Sequence, residues 1–401
     1  MHSKDSNLWE AWPSPLQELG VPSKFSPSRL LAPLECPVRA FSGCIGDSQV
    51  LGPELPALIG NAVHCLMEEY KPADVPTKMS ASELLASLIC KAITQFPDHR
   101  VRGWLPLLGT DKYLLEKASA LVLGWSSNIM PSGLERSPSL ITRPWDSATV
   151  QSIGESSSVN SEHSEILLES DTLPLKGRAD LVIFSPGFVE IIDFKSGRAF
   201  DNDGNLRDSS KYQMWAYGLL ASELWPDRRV RLTIAADVSI DVPFGRDEVI
   251  EIRRHLTQLA LAFPKDSPIN VSTSAIIGRH CRGCNIRHLC PSYLEKAPRE
   301  WDDPPPRDQR ISGPDLWGEF LGRDASSGSI SIVTSFGRGG RIYGLTENEV
   351  EQINVGDMVG FFNVPALDLV LPGRVRRHVM NRIVRKNGRF SRGVRCFRIP
   401  G

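Results

Sequence analysis

Apolar residues recur at helical spacing over residues 56–70, where Leu58, Ile59, Ala62, Val63, Leu66 and Met67 share one face. The pattern repeats over 80–95 behind Ser80, with Glu83 three positions on as a capping box, and again over 111–125, so the first third is predicted mostly helical. Residues 151–164 (QSIGESSSVNSEHS) break the period with serines and predict a mobile loop. The period then shortens to two. ILLES, RADLVIF and FVEIIDFKS predict consecutive antiparallel strands, with Ser185-Pro186-Gly187 turning between the last two. A helix over 209–223, a strand in RVRLTIAADV and a helix over 246–262 complete an α/β core. Residues 298–309, with three consecutive prolines, read as a linker. Beyond it SGSISIVTSF, RIYGL and DMVGFFNV alternate as strands, Thr346 and Glu349 cap a short helix, and Lys386-Asn387-Gly388-Arg389 is a hairpin turn. Residues 310–401 are therefore predicted as a small β-rich, barrel-like domain, and the Pro- and Trp-containing residues 1–25 as an extended lead-in.

Composition changes this picture little. The 401 residues are 41% hydrophobic and 23% charged, ordinary for a globular protein of two or three domains. No run of about 18 apolar residues is present, which excludes a membrane-spanning helix and a membrane partner. The first residues lack the basic-then-apolar layout of a signal peptide, so a cytoplasmic location is expected. Charge is more informative by position than in total. The net charge is −1, yet the stretch from Arg374 to the end carries ten Lys and Arg and no acid, leaving an excess of acids in the rest.

Candidate chemistry is densest in GRADLVIFSPGFVEIIDFKSG, residues 177–197. Asp193 and Lys195 are two apart on a strand and share a face. A hairpin turning at Pro186-Gly187 brings Asp180 opposite Asp193. Like charges across a sheet repel, so a divalent cation with hard oxygen ligands is the natural occupant between them. Lys195 beside it has the charge to orient a water and stabilise a phosphate. The bland alternative is a pair of solvated acids with Lys195 paired to one. The apolar run 188–194 weighs against it, since it buries the strand.

These residues resemble the active-site core of the PD-(D/E)XK nuclease superfamily. Gly177-Arg178-Ala179-Asp180 followed by Asp193-Phe194-Lys195 is similar to its RecB-like branch, and the resemblance implies a restriction-endonuclease-like α/β core with an N-terminal helical region. His64, ending IGNAVH, resembles the histidine that joins the metal in that branch. Gln213 and Tyr217 in YQMWAYGLL match a Q-x-x-x-Y motif; at i and i+4 they lie on one helix face. Glu165 sits where the family often has another acid, with Glu169 competing for the role. By the resemblance, His64, Asp180 and Asp193 hold Mg2+ or Mn2+, and Lys195, Gln213 and Tyr217 complete the site. The substrate is expected to be DNA with a single-stranded region or an end, cut in repair, recombination or defence, with a helicase or other DNA-processing protein as partner. The competing class is a silent DNA-binding or helicase-partner module on the same fold.

Cys281, Cys284 and Cys290 place three of the eight cysteines within ten residues, and a tetrahedral site needs a fourth ligand from elsewhere. Cys36 resembles the N-terminal cysteine that joins three C-terminal ones around a 4Fe-4S cluster in AddB and CRISPR-associated exonucleases. Such a cluster staples the two ends of residues 26–297, closing a loop of about 245 residues. Zinc remains the chemical rival, with His280 and His288 as substitute ligands and Cys44 as runner-up for the fourth position. Cys65, Cys90 and Cys396 are expected to be ordinary buried thiols. At the basic end, Arg376, Arg377, Arg382, Arg385, Arg389 and Arg392 are candidates for phosphate contact, the alternative being docking onto the acidic remainder of the chain.

Overall fold

The structure is a computed structural model that describes residues 9–46, 50–51, 161–195, 199–201, 203–236, 239–300, 315–324, 329–333, 339–343, 345–362, 380–382, 385–386, 389–390 and 395–399. The three helices predicted between 56 and 125, and with them His64, Cys65 and Cys90, lie outside these residues.

Residues 9–46 hold two short strands, β1 (Trp9–Ala11) and β2 (Glu18–Leu19), and two one-turn helices, α1 (Ala32–Glu35) and α2 (Pro37–Ala40), with Cys36 at the joint. The acidic and lysine motifs of residues 177–197 fall on a five-stranded sheet of order β3-β4-β5-β6-β7. It comprises β3 (Ser161–Glu169), β4 (Lys176–Ser185), β5 (Phe188–Phe194), β6 (Arg229–Ala235) and β7 (Ser239–Asp241). The predicted loop over 151–164 is corrected at its end: Ser161 to Ser164 pair with β4 in an edge strand, where one side needs no apolar partner. Between β4 and β5, Pro186 and Gly187 make a two-residue turn; Gly187 has φ 78°, the positive value that a Pro-Gly type II turn requires.

The β5–β6 pair is parallel and is connected by α3 (Asp208–Leu224), which supplies the crossover that parallel strands need. Met214, Ala216, Leu219, Leu220 and Ala221 of α3 are buried with Val182, Phe184, Val189 and Ile191 of the sheet. A second helix, α4 (Arg246–Ala262), has the bounds its periodicity predicts and buries Ile252, Leu256 and Leu259 in the same core. Then β8 (Ile269–Asn270) pairs with β2, and α5 (Val271–Ser274) leads into the Cys-rich turns Arg279–Gly283 and Arg287–Leu289.

Helix α6 (Pro291–Glu300) extends past the predicted start of the linker, so residues 298–300 are helical; its Tyr293 is wholly buried and anchors it. The C-terminal sheet comprises β9 (Leu316–Asp324), β10 (Ser329–Val333), β11 (Gly339–Tyr343), β12 (Met358–Phe362), β13 (Met380–Arg382) and β16 (Arg395–Ile399). Its strand order is β1-β16-β12-β9-β10-β11-β13, and the two ends are not paired among the described residues, so barrel closure is not shown. The lead-in is extended, but it is part of this sheet: β1 runs parallel to β16, pairing Trp9 with Cys396. The short helix α7 (Glu347–Val350) begins as predicted, with Glu349 accepting from Thr346 N–H at 2.8 Å. β14 (Arg385–Lys386) and β15 (Arg389–Phe390) pair Lys386 with Arg389, the register of a two-residue turn. No helix among the described residues is long and apolar enough to cross a membrane.

Candidate active site

The β4–β5 register carries Leu181 opposite Ile192, and one further step sets Asp180 across from Asp193, as the hairpin geometry predicts. The ladder ends at that step. Asp180 Oδ2 instead accepts the backbone N–H of Phe194 at 2.7 Å, which ties the first acid to the strand of the second. Such a bond to a charged acceptor is stronger than a neutral one.

Asp193 is 3% exposed. Its Oδ1 accepts Gln213 Nε2 at 2.6 Å, and Lys195 Nζ lies 2.8 Å from its Oδ2. Lys195 Nζ also donates to Gln213 Oε1 at 2.7 Å, closing a ring of carboxylate, amide and ammonium. Gln213 reaches the ring because α3 packs against β5; four residues on, Tyr217 is buried on the same side and donates to the carbonyl of Arg178 at 2.6 Å. Burial first, then the carboxylates of Asp193, Asp180 and Glu165, push the Tyr217 phenol far up, so it stays a donor. Three acids therefore act on one hydroxyl.

Glu165 earns its place by register. Ser164 pairs with Leu181 and Ile166 with Ala179, so Glu165 stands across from Asp180, in a left-handed conformation with φ 54° that non-glycine residues rarely adopt. Glu169 is elsewhere engaged, 2.7 Å from both Lys24 and Lys176, which hold its carboxyl below the usual range. Of the two acids weighed from sequence, Glu165 is the one whose register lies across from Asp180; its carboxylate is 3.8 Å from Arg178 Nε. Sequence pattern alone did not separate them, since both lie on one strand and one parity.

Asp180 and Asp193 offer the hard carboxylate oxygens that a divalent cation takes. Among the described residues no group of three or more His, Cys, Asp or Glu side chains forms a metal-ion site. Cys36, Cys281, Cys284 and Cys290 are all buried in the same core and form no disulfide, whereas Cys44 is exposed, against its candidacy as a buried ligand. Burial pushes the Cys284 thiol up to about 12 and the Cys290 thiol up to about 11, with the charges of Cys281 and Cys36 contributing at Cys290. Backbone bonds from Leu16 to Leu289 and from Leu51 to Asn285 tie the chain on both sides of Cys36 to the Cys-rich turns. Cys396 is buried, as expected, in the C-terminal sheet. His280 is bonded to the carbonyl of Ile276, and His288 packs edge-on against Phe362.

A feature missed from sequence lies between the cysteines: buried Arg287 forms an ion pair with Asp315 and donates to the carbonyl of Cys284, while Tyr293 donates to Asp315. Arg382, Arg385 and Arg389 sit on strands β13, β14 and β15, while Arg376, Arg377 and Arg392 lie outside the described residues.

A hairpin bearing an acid on each arm, an Asp-x-Lys at its end and a crossover helix over it are consistent with a restriction-endonuclease-like fold. The chain belongs to the PD-(D/E)XK nuclease superfamily, whose family model matches residues 24–291. Members of that superfamily are typically metal-dependent nucleases that use Mg2+ or Mn2+. No curated protein matches the sequence. A solved structure described as that of SSO0001 is similar at 12% identity and a TM-score of 0.23, over 59% of this chain and 96% of that one.

Proposed function

We propose that the chain is a RecB-like deoxyribonuclease that hydrolyses phosphodiester bonds in single-stranded regions or at ends of DNA, acting as an exonuclease. The observation that carries this reading is the ring of Asp193, Gln213 and Lys195 beside Asp180. Asp180 and Asp193, with His64, are assigned to hold Mg2+ or Mn2+. The bound cation supplies Lewis-acid activation of water and neutralises charge on the phosphate. Lys195 orients the nucleophile and stabilises the developing negative charge. Gln213 fixes both of these side chains, and Tyr217 holds β4 at Arg178 so that Asp180 keeps its place.

Residues 26–297 are assigned to the nuclease domain and 310–401 to the β-rich domain. Cys36, Cys281, Cys284 and Cys290 are assigned to a 4Fe-4S cluster, with zinc as the rival; their common burial in one core is what supports the assignment. The basic strands are assigned to the phosphate backbone, and repair, recombination or defence, in company with a helicase, to the setting. The test is cleavage of single-stranded and duplex DNA with Mn2+, wild type beside Asp193→Ala. Loss of cleavage in the variant is expected; cleavage at the wild-type rate would overturn the site.

A further inference from the structure

We propose that Lys195 and the divalent cation exchange on Asp193 Oδ2, so that loading the site releases the Lys195 ammonium toward the substrate phosphate. The inference rests on the nuclease reading above and deepens it. Asp193 is buried, and a buried carboxylate needs a compensating positive charge. Gln213 Nε2, on Oδ1 at 2.6 Å, is a neutral donor and orients the group without balancing its charge. Lys195 Nζ, 2.8 Å from Oδ2, supplies a balancing charge.

The two oxygens differ in what replacement costs. Gln213 belongs to the middle of α3 and is buried, so vacating Oδ1 strands an amide inside the protein. The Lys195 side chain is 26% exposed and starts one residue beyond β5. Its Nζ donates to Gln213 Oε1 at 2.7 Å and forms an ion pair with Oδ2 at 2.8 Å. Oδ2 is therefore the oxygen that changes partner. A dication and an ammonium on the same oxygen repel, and Nζ leaves with Gln213 Oε1 as its remaining tether. One buried amide thus guides the lysine between two positions, and Lys195 acts on metal affinity as well as on chemistry.

The test reads metal binding without DNA. Mn2+ is titrated into wild type, Lys195→Met, Lys195→Arg and Asp193→Asn, with free Mn2+ followed by electron paramagnetic resonance and Tm measured in parallel. Removing the competitor is expected to tighten Mn2+ binding about tenfold in Lys195→Met, with a larger Mn2+-induced rise in Tm than in wild type. Lys195→Arg, which keeps the competing charge, is expected to bind no tighter than wild type. Lys195→Gln serves if the Met variant does not fold, with the same tightening expected. Affinity unchanged or weaker in the neutral variants would overturn the exchange. Identical titrations of wild type and Asp193→Asn would instead overturn the metal-site reading itself, so the two failures are distinguishable.

Discussion

Gly177 packs directly against Pro27: a Cβ on Gly177 would stand 2.5 Å from Pro27 Cδ and 3.1 Å from Tyr217 Cε1. The N-terminal segment that carries Cys36 therefore presses on the strand that carries Asp180, at the level where Tyr217 holds the Arg178 carbonyl. Gly177→Ala must move Pro27 or β4. We expect it to cost about 1–3 kcal/mol of stability by overpacking. It is also expected to lower metal-dependent cleavage beyond the fraction unfolded, because Asp180 is three residues away on the same strand. Urea denaturation beside cleavage rates checks both, and an unchanged midpoint would show that the approach is relieved without strain.

Arg287 and Asp315 join the Cys-rich turns to the start of β9, with both side chains almost wholly buried. Removing one partner of a buried pair costs about 3–5 kcal/mol, since the other charge is stranded. Asp315→Asn is expected to show a loss of that order in chemical denaturation. Arg287→Met combined with Asp315→Leu is expected to lose less than the sum of the single changes, and strict additivity would argue against coupling.

Burial separates the cysteines into two kinds. Protein purified without oxygen is expected to be brown, with broad visible absorbance from sulfur-to-iron charge transfer. Cys36→Ser and Cys290→Ser are expected to abolish the colour, and Cys44→Ser to retain it, because Cys44 is exposed. A colourless protein with stoichiometric zinc would replace the cluster by the rival metal.

The basic end is best tested by point substitutions. Deleting it removes β16, which pairs on one side with β1 and on the other with β12, and so dismantles the C-terminal sheet. Arg385→Ser and Arg389→Ser are instead expected to lower the slope of log Kobs against log salt by about 0.7 per lost phosphate contact on single-stranded DNA. Fluorescence anisotropy over a salt series measures it, and an unchanged slope removes these positions from the contact surface.

Much of the candidate site was legible because it is local. A two-residue turn at Pro186-Gly187 sets the β4–β5 register, and the register places Asp180 across from Asp193. The period of a helix puts Gln213 and Tyr217 on one face, and the bounds of α4 follow from its apolar spacing. Strand β9 was missed because Gly318 and Gly322 interrupt its alternation.

By itself the sequence determined which residues share a strand face or a helix face, since those depend on fixed local periods. Only the tertiary structure decided what each face meets. It set Glu165 across from Asp180 and Glu169 between two lysines, and it joined Gln213 to both Asp193 and Lys195 by laying α3 on β5. It paired β1 with β16 from opposite ends of the chain, and Arg287 with Asp315. The physical reason is that periodicity encodes the direction of a side chain relative to its own backbone, whereas a partner is selected by the packing and burial of segments far apart in the chain.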